Sequence, residues 1–199
     1  MIAMIDYDAG NIKSVEKAME ALGEQPVITR DLAVIRQADK VILPGVGAFG
    51  DAMSKLREYD LVDIVKEAAN EKPFLGICLG LQLLFESSEE SPGVEGLGIL
   101  KGTIRRIPKI DTLKIPHMGW NSLDFSRKGR LFQGIEENPY VYFIHSYYLE
   151  AEEDIVTATT TYGTLIHASV EKGSLFACQF HPEKSSAIGL KILQNFVEI

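Results

Sequence analysis

Cys78 is one of two cysteines in a chain of 199 residues, and it stands in "GICLG" between Gly76 and Gly80. A thiol attacks a carbonyl carbon when it is lifted clear of its surroundings and paired with a base. The G-x-nucleophile-x-G spacing is that of a strand-to-helix elbow, a strained turn that raises the nucleophile out of a sheet. The glycines leave room for the turn, and a helix N-terminus in "LGLQLLFES" favours thiolate over thiol. Free cysteine is also among the most buried residue types, so a packed core thiol is the plain alternative. The elbow spacing tips the reading toward a nucleophile.

Four histidines compete to be the base. His117, His145 and His167 have no acidic residue two positions away, whereas His181 has Glu183 in "FHPEKSS". If that stretch ends a strand, residues two apart project to one side, and the Glu183 carboxylate orients the His181 imidazole. Pro182 suits a strand end because it cannot donate to a ladder. An ordinary surface pair is the alternative. The glycines of "LPGVGAFGD", residues 43–51, lack dinucleotide-fingerprint spacing, and no P-loop lysine follows. Such a loop at a strand end can instead turn backbone N–H groups toward a developing oxyanion, or simply turn the chain.

These side chains need elements to hold them. "MIAMI", "QPVIT", "KVILPG" and "PFLGI" read as short buried strands. "NIKSVEKAMEALG", with Asn11 as N-cap and Gly23 as terminator, and "DLVDIVKEAANEK" read as helices. Strands alternating with helices predict a mostly parallel sheet buried on both faces. From about residue 94, "TIRRI", "YVYFIHSYYL", "DIVTATTTY", "LIHASVEKG" and "LFACQFHPE" read as antiparallel strands, and "SSAIGLKILQNFVEI" as a final helix. Cys178, on one of those strands, reads as core. The expected fold is α/β, a mostly parallel central sheet with flanking helices and an antiparallel C-terminal extension, in one domain over residues 1–199.

Composition narrows the function classes. Hydrophobic residues make up 46% and charged residues 24%, the balance of a globular chain. A net charge of −8 with no basic run argues against a nucleic-acid partner. No apolar run approaches the ~18 residues of a membrane span, and no signal peptide is recognisable, so the cytoplasm is the expected compartment. Two cysteines this far apart offer neither a disulfide framework nor a CxxC zinc site.

In this order, "PGVGAFG", "GICLGLQLLFESSEE", "PHMGWN", "YFIHSYY" and "QFHPEKSS" resemble the class I (triad) glutamine amidotransferases. The resemblance spans essentially the whole chain, and "PHMGWN" and "HPEKSS" bring it nearest to the glutaminase subunits of histidine biosynthesis. It implies a triad of Cys78, His181 and Glu183 acting on glutamine, without cofactor or metal. It implies an oxyanion hole from the Leu79 N–H and the Gly45–Val46–Gly47 loop, and glutamine binding by Gln82 and the backbone of His145, Ser146 and Tyr147. Ammonia would pass to a (β/α)₈-barrel cyclase in a heterodimer that makes imidazole glycerol phosphate and AICAR. His117, Met118, Trp120, Tyr142 and Lys184 would lie near that contact.

Blander readings stand beside these. Gln82 would be a solvated helix position, "HSY" a core strand, Trp120 and Tyr142 core aromatics, and Lys184 a solvated charge. A glutaminase for the pyridoxal phosphate or anthranilate pathway, a free-standing thiol hydrolase and a noncatalytic redox module are the alternative functions. The Val46–Gly47 peptide is expected to rotate as a switch, with Gly47→Ala lowering partner-stimulated turnover more than unstimulated turnover.

Overall fold

Apolar runs too short for helices become strands, and the amphipathic stretches between them become the helices that cover those strands. The computed structural model describes residues 1–8 and 10–199. Strands β1 (Ile2–Ile5), β2 (Val27–Thr29) and β3 (Lys40–Leu43) are joined by helices α1 (Ile12–Ala21) and α2 (Leu32–Gln37), and two helices, α3 (Phe49–Glu58) and α4 (Val62–Glu71), lead from β3 to β4 (Phe74–Ile77). Helix α5 (Leu79–Leu83) follows β4 after the single residue Cys78. Then come β5 (Ser87–Ser88), β6 (Gly102–Arg106), β7 (His117–Ser122), β8 (Tyr140–His145), β9 (Tyr147–Ala151), β10 (Val156–Thr161), β11 (Leu165–Lys172) and β12 (Leu175–Cys178). The last element is α6 (Ser186–Glu198).

The main sheet has seven strands in the order β10-β11-β12-β4-β3-β1-β2. Strands β2, β1, β3, β4 and β12 are parallel neighbours, and β10 and β11 extend the sheet antiparallel. This is the expected α/β architecture with its antiparallel extension. Alternation sends Ala3, Ile5, Val41 and Leu43 to one face, among Phe49, Leu56, Val65 and Leu81. Ile2, Met4, Ile42, Leu75 and Ile77 go to the other, with Val15 and Met19 of α1 and Ile192 and Phe196 of α6. Each of the larger aliphatic and aromatic side chains among these contributes about 1.5–3 kcal/mol by its burial. Cys178 is fully buried in the second group, as expected of core.

Register places the chemistry. In the β12–β4 pair Cys178 lies opposite Ile77. The residues that follow both strands therefore emerge side by side at the carboxyl edge of the sheet, where open α/β folds bind ligands.

Several elements differ from expectation. Helices α2 and α3 are not among the elements expected from sequence, α3 starting inside the glycine loop, and "YVYFIHSYYL" is two strands, β8 and β9, parted at Ser146. Asn11 precedes α1 with φ 70°, outside the extended geometry of an N-cap, and makes no side-chain cap; its Nδ2 instead donates to Glu183 Oε1. Two small sheets, β5-β6-β9 and the β7-β8 hairpin, stand beside the main one. Among the described residues, no helix is long and apolar enough to cross a membrane.

Candidate active site

Cys78 has φ 54° and ψ −108°, a backbone conformation that costs an L residue about 1–3 kcal/mol. Its N–H donates to the Cys178 carbonyl at 2.8 Å, so β12 holds the strained unit in place. A Cβ on Gly80 would lie 1.9 Å from the Leu43 carbonyl oxygen, so only glycine lets α5 start this close to β3. The elbow predicted from "GICLG" is present, although its helix is only five residues long.

His181 Nδ1 donates to Glu183 Oε1 at 2.7 Å, and the Glu183 side chain is fully buried. The expected pairing is there, but its expected geometry is not. Strand β12 ends at Cys178, and Pro182–Lys184 form a 3₁₀ turn. The turn, not strand alternation, brings the carboxylate back to the ring, and Pro182 opens that turn rather than closing a strand. The turn is anchored by the His181 N–H to the Tyr142 carbonyl at 2.9 Å and by the Ser185 hydroxyl, which donates to the His181 carbonyl at 2.6 Å. Burial opposes a charge on His181, yet its partners Cys78 and Glu183 outweigh burial and raise it to about 10. The ring therefore holds its second proton at neutral pH.

The Gly45–Val46–Gly47 loop lies over the elbow, with Gly47 at φ 109°. The Leu79 N–H donates to the Gly45 carbonyl at 3.3 Å. The donor expected to hold an oxyanion is thus engaged in this conformer, through a long bond that is cheap to break.

Gln82 is buried rather than solvated. Its Nε2 donates to the Tyr147 carbonyl at 3.1 Å and to Gln179 Oε1 at 3.0 Å. His145 Nδ1 donates to the same Tyr147 carbonyl at 2.8 Å, so its Nε2 accepts from His117 Nδ1 at 2.9 Å. Burial pushes His117 down to about 4 and His145 to about 3, so both rings are neutral at pH 7. Cys78, His181, Gly47, Gln82 and the segment His145–Tyr147 line one pocket of about 410 Å³. Lys184 stands at its rim and Glu183 behind His181.

The arrangement has close relatives. The family model for glutamine amidotransferase class-I matches residues 3–199. The chain belongs to this family. It is 50% identical to the Oceanobacillus iheyensis protein named imidazole glycerol phosphate synthase subunit HisH, over all of this chain and 99% of that one. It is 48% identical to the Methanocaldococcus jannaschii protein of the same name, over the full length of both. A solved structure described as a glutamine amidotransferase superposes with a TM-score of 0.77 at 20% identity, covering 100% of this chain and 98% of the other.

The residues expected near a partner divide in this amidotransferase. On the β7-β8 hairpin, Trp120 pairs with Tyr142 and Met118 with Ile144. Met118 and Trp120 are 61% and 49% exposed, so Trp120 is not a core aromatic. Tyr140, absent from the sequence reading, is 60% exposed and extends the same face. His117 points the other way. It is buried between the Phe143 and Tyr162 rings, with centroids at 4.8 and 3.9 Å, so the structure removes it from the exposed face.

Three more residues of this amidotransferase make site contacts that the sequence reading did not assign. Asn11 Nδ2 donates to Glu183 Oε1 at 2.7 Å, extending the His181–Glu183 pair. The Tyr7 hydroxyl donates to the Pro44 carbonyl at 2.7 Å, under the glycine loop, and burial holds it as a neutral phenol. Gln179 reaches the thiol itself. Only Gln179, two positions before His181, carried a signal of proximity.

Proposed function

We propose that this chain is the glutaminase subunit of an imidazole glycerol phosphate synthase, hydrolysing glutamine to glutamate and ammonia. The observation that carries the reading is the shared pocket of Cys78 and the His181–Glu183 pair. Cys78 Sγ, as the thiolate beside the protonated His181, attacks the side-chain amide carbon of glutamine. The negative charge that forms on oxygen is met by the Leu79 N–H, once it leaves the Gly45 carbonyl, and by the Gly47 N–H. His181 enters the reaction carrying its proton and gives it to the departing nitrogen, so the C–N bond breaks and ammonia leaves a thioester. Water then yields a proton to His181 and attacks the thioester, and the C–S bond breaks to return the thiolate and glutamate. Glu183 supports the charged imidazole, Asn11 steadies Glu183, and Gln82 with residues 145–147 receives the substrate. No step calls on a cofactor or metal.

Half-identical, full-length relatives support the destination of the ammonia. The face carrying Met118, Trp120, Tyr140 and Tyr142, with Lys184 at the pocket rim, meets a (β/α)₈-barrel cyclase in a cytoplasmic heterodimer. Sealing against that barrel keeps ammonia from water, where protonation would remove its nucleophilicity. The test is Cys78→Ala, assayed with cyclase and its nucleotide ligand. Glutamate release should vanish while added ammonium salts still support product. Residual hydrolysis well above background rejects the assignment.

A further inference from the structure

Gln179 is fully buried, immediately beyond β12, and its N–H donates to the Ala168 carbonyl at 2.9 Å. The β12–β4 register sets it beside the elbow, where its Nε2 lies 3.7 Å from Cys78 Sγ. A side-chain amide can be turned either way, but here the neighbours choose. The Tyr147 carbonyl can only accept, so Gln82 presents its NH₂ group there, and that same group faces Gln179 Oε1. With Gln179 Oε1 so engaged, its NH₂ group is the end that meets the sulfur. Besides its pairing with His181, Cys78 Sγ also meets the Ile144 carbonyl at 3.8 Å, which accepts from a thiol and opposes a thiolate. We infer that Gln179 is a positioning residue for the nucleophile: its locked amide donates to Cys78 Sγ and stabilises the thiolate against the Ile144 carbonyl.

A hydrogen bond to a charged acceptor is about twice as strong as a neutral one, so the contact tightens when the thiol ionises. Its donor is also already aimed, so no reorientation is needed at the moment of attack. The same bond serves again when the thioester C–S bond breaks and thiolate returns. The inference rests on Cys78 being the nucleophile, and its test does not depend on turnover.

The measurement is the rate of alkylation by iodoacetamide in the full chain, with Cys78→Ala as background for the buried Cys178. Gln179→Met keeps the length and removes the donor. It should slow alkylation at neutral pH by roughly tenfold to a hundredfold, the worth of one hydrogen bond to a charged partner. The deficit should close as pH rises, which a merely structural role would not produce. Gln179→Glu keeps the shape and the acceptor for Gln82 while turning oxygen toward the sulfur, and at about pH 8 it should be slower still. Either variant, folded by near-ultraviolet circular dichroism and alkylated at the wild-type rate, overturns the inference. If Gln179→Met does not fold, Gln179→Glu decides. Failure of the nucleophile assignment reads differently: Cys78→Ala would go on releasing glutamate.

Discussion

Gly47→Ala tests the oxyanion loop, and the structure sets the sign of its effect. Gly47 has φ 109°, while the Leu79 N–H is engaged with the Gly45 carbonyl. A Cβ at position 47 meets no atom within 4 Å, so alanine would suffer torsional strain and no clash. That strain is worth about 1–3 kcal/mol in the present conformer. A half-turn of the Val46–Gly47 peptide carries φ of residue 47 to about −70°, a region open to every L residue. Alanine therefore penalises the closed conformer and spares the rotated one. The population shifts toward the rotated loop by roughly 5–150-fold. From sequence alone the expectation ran the other way, with alanine harming the stimulated state, because the φ of the closed loop was not legible. The assay is kcat for glutamate release in wild type and variant, each with and without ligand-bound cyclase. Unstimulated turnover should rise while stimulated turnover holds, so the ratio of the two shrinks. A ratio left unchanged, or one that grows, refutes the rotating peptide.

Glu183→Gln removes the charge that helps hold His181 at about 10, so its titration midpoint should fall toward the ordinary 6.5, followed by NMR of the ring. A raised histidine stabilises the fold fully below 6.5 and loses that contribution as pH climbs to about 10, so the variant should show a flatter loss of Tm across that window. A midpoint still near 10 would mean that Glu183 is not the cause. His117 is the opposite case: held down to about 4, it takes no proton while the unfolded chain does so below 6.5, and stability falls on acidification. His117→Phe keeps the stacking but leaves His145 Nε2 without its donor. It should cost about 1–3 kcal/mol at pH 7 and then lose less Tm than wild type on going to acid. An acid slope equal to wild type would move the cause elsewhere.

What was legible followed from how near in sequence the deciding partner lies. The parallel strands and α1 announce themselves by apolar spacing, and the Cys78 elbow by two glycines, because each depends on residues within one turn. Helix α3 does not. Its N-cap, Ala48, has no polar side chain to offer, and its first N–H groups are satisfied by Glu90 Oε2 on Phe49 and Ser91 Oγ on Gly50, at 2.8 and 2.9 Å. Both partners lie 41 residues downstream, so the glycine-rich opening of α3 reads locally as loop. Asn11 shows the same effect reversed: its type says cap, but its amide serves a carboxylate 172 residues away. His181 and Glu183 were found together through the wrong local geometry, since a 3₁₀ turn and a strand can both bring residues two apart to one side. Gln179 is 101 residues from Cys78, and only the β12–β4 pairing makes them neighbours. Of the groups against the sulfur, Gln179 is thus one that sequence reading reaches last. It and Cys78 come from the ends of separate strands and meet because parallel pairing stacks those ends along one edge of the sheet.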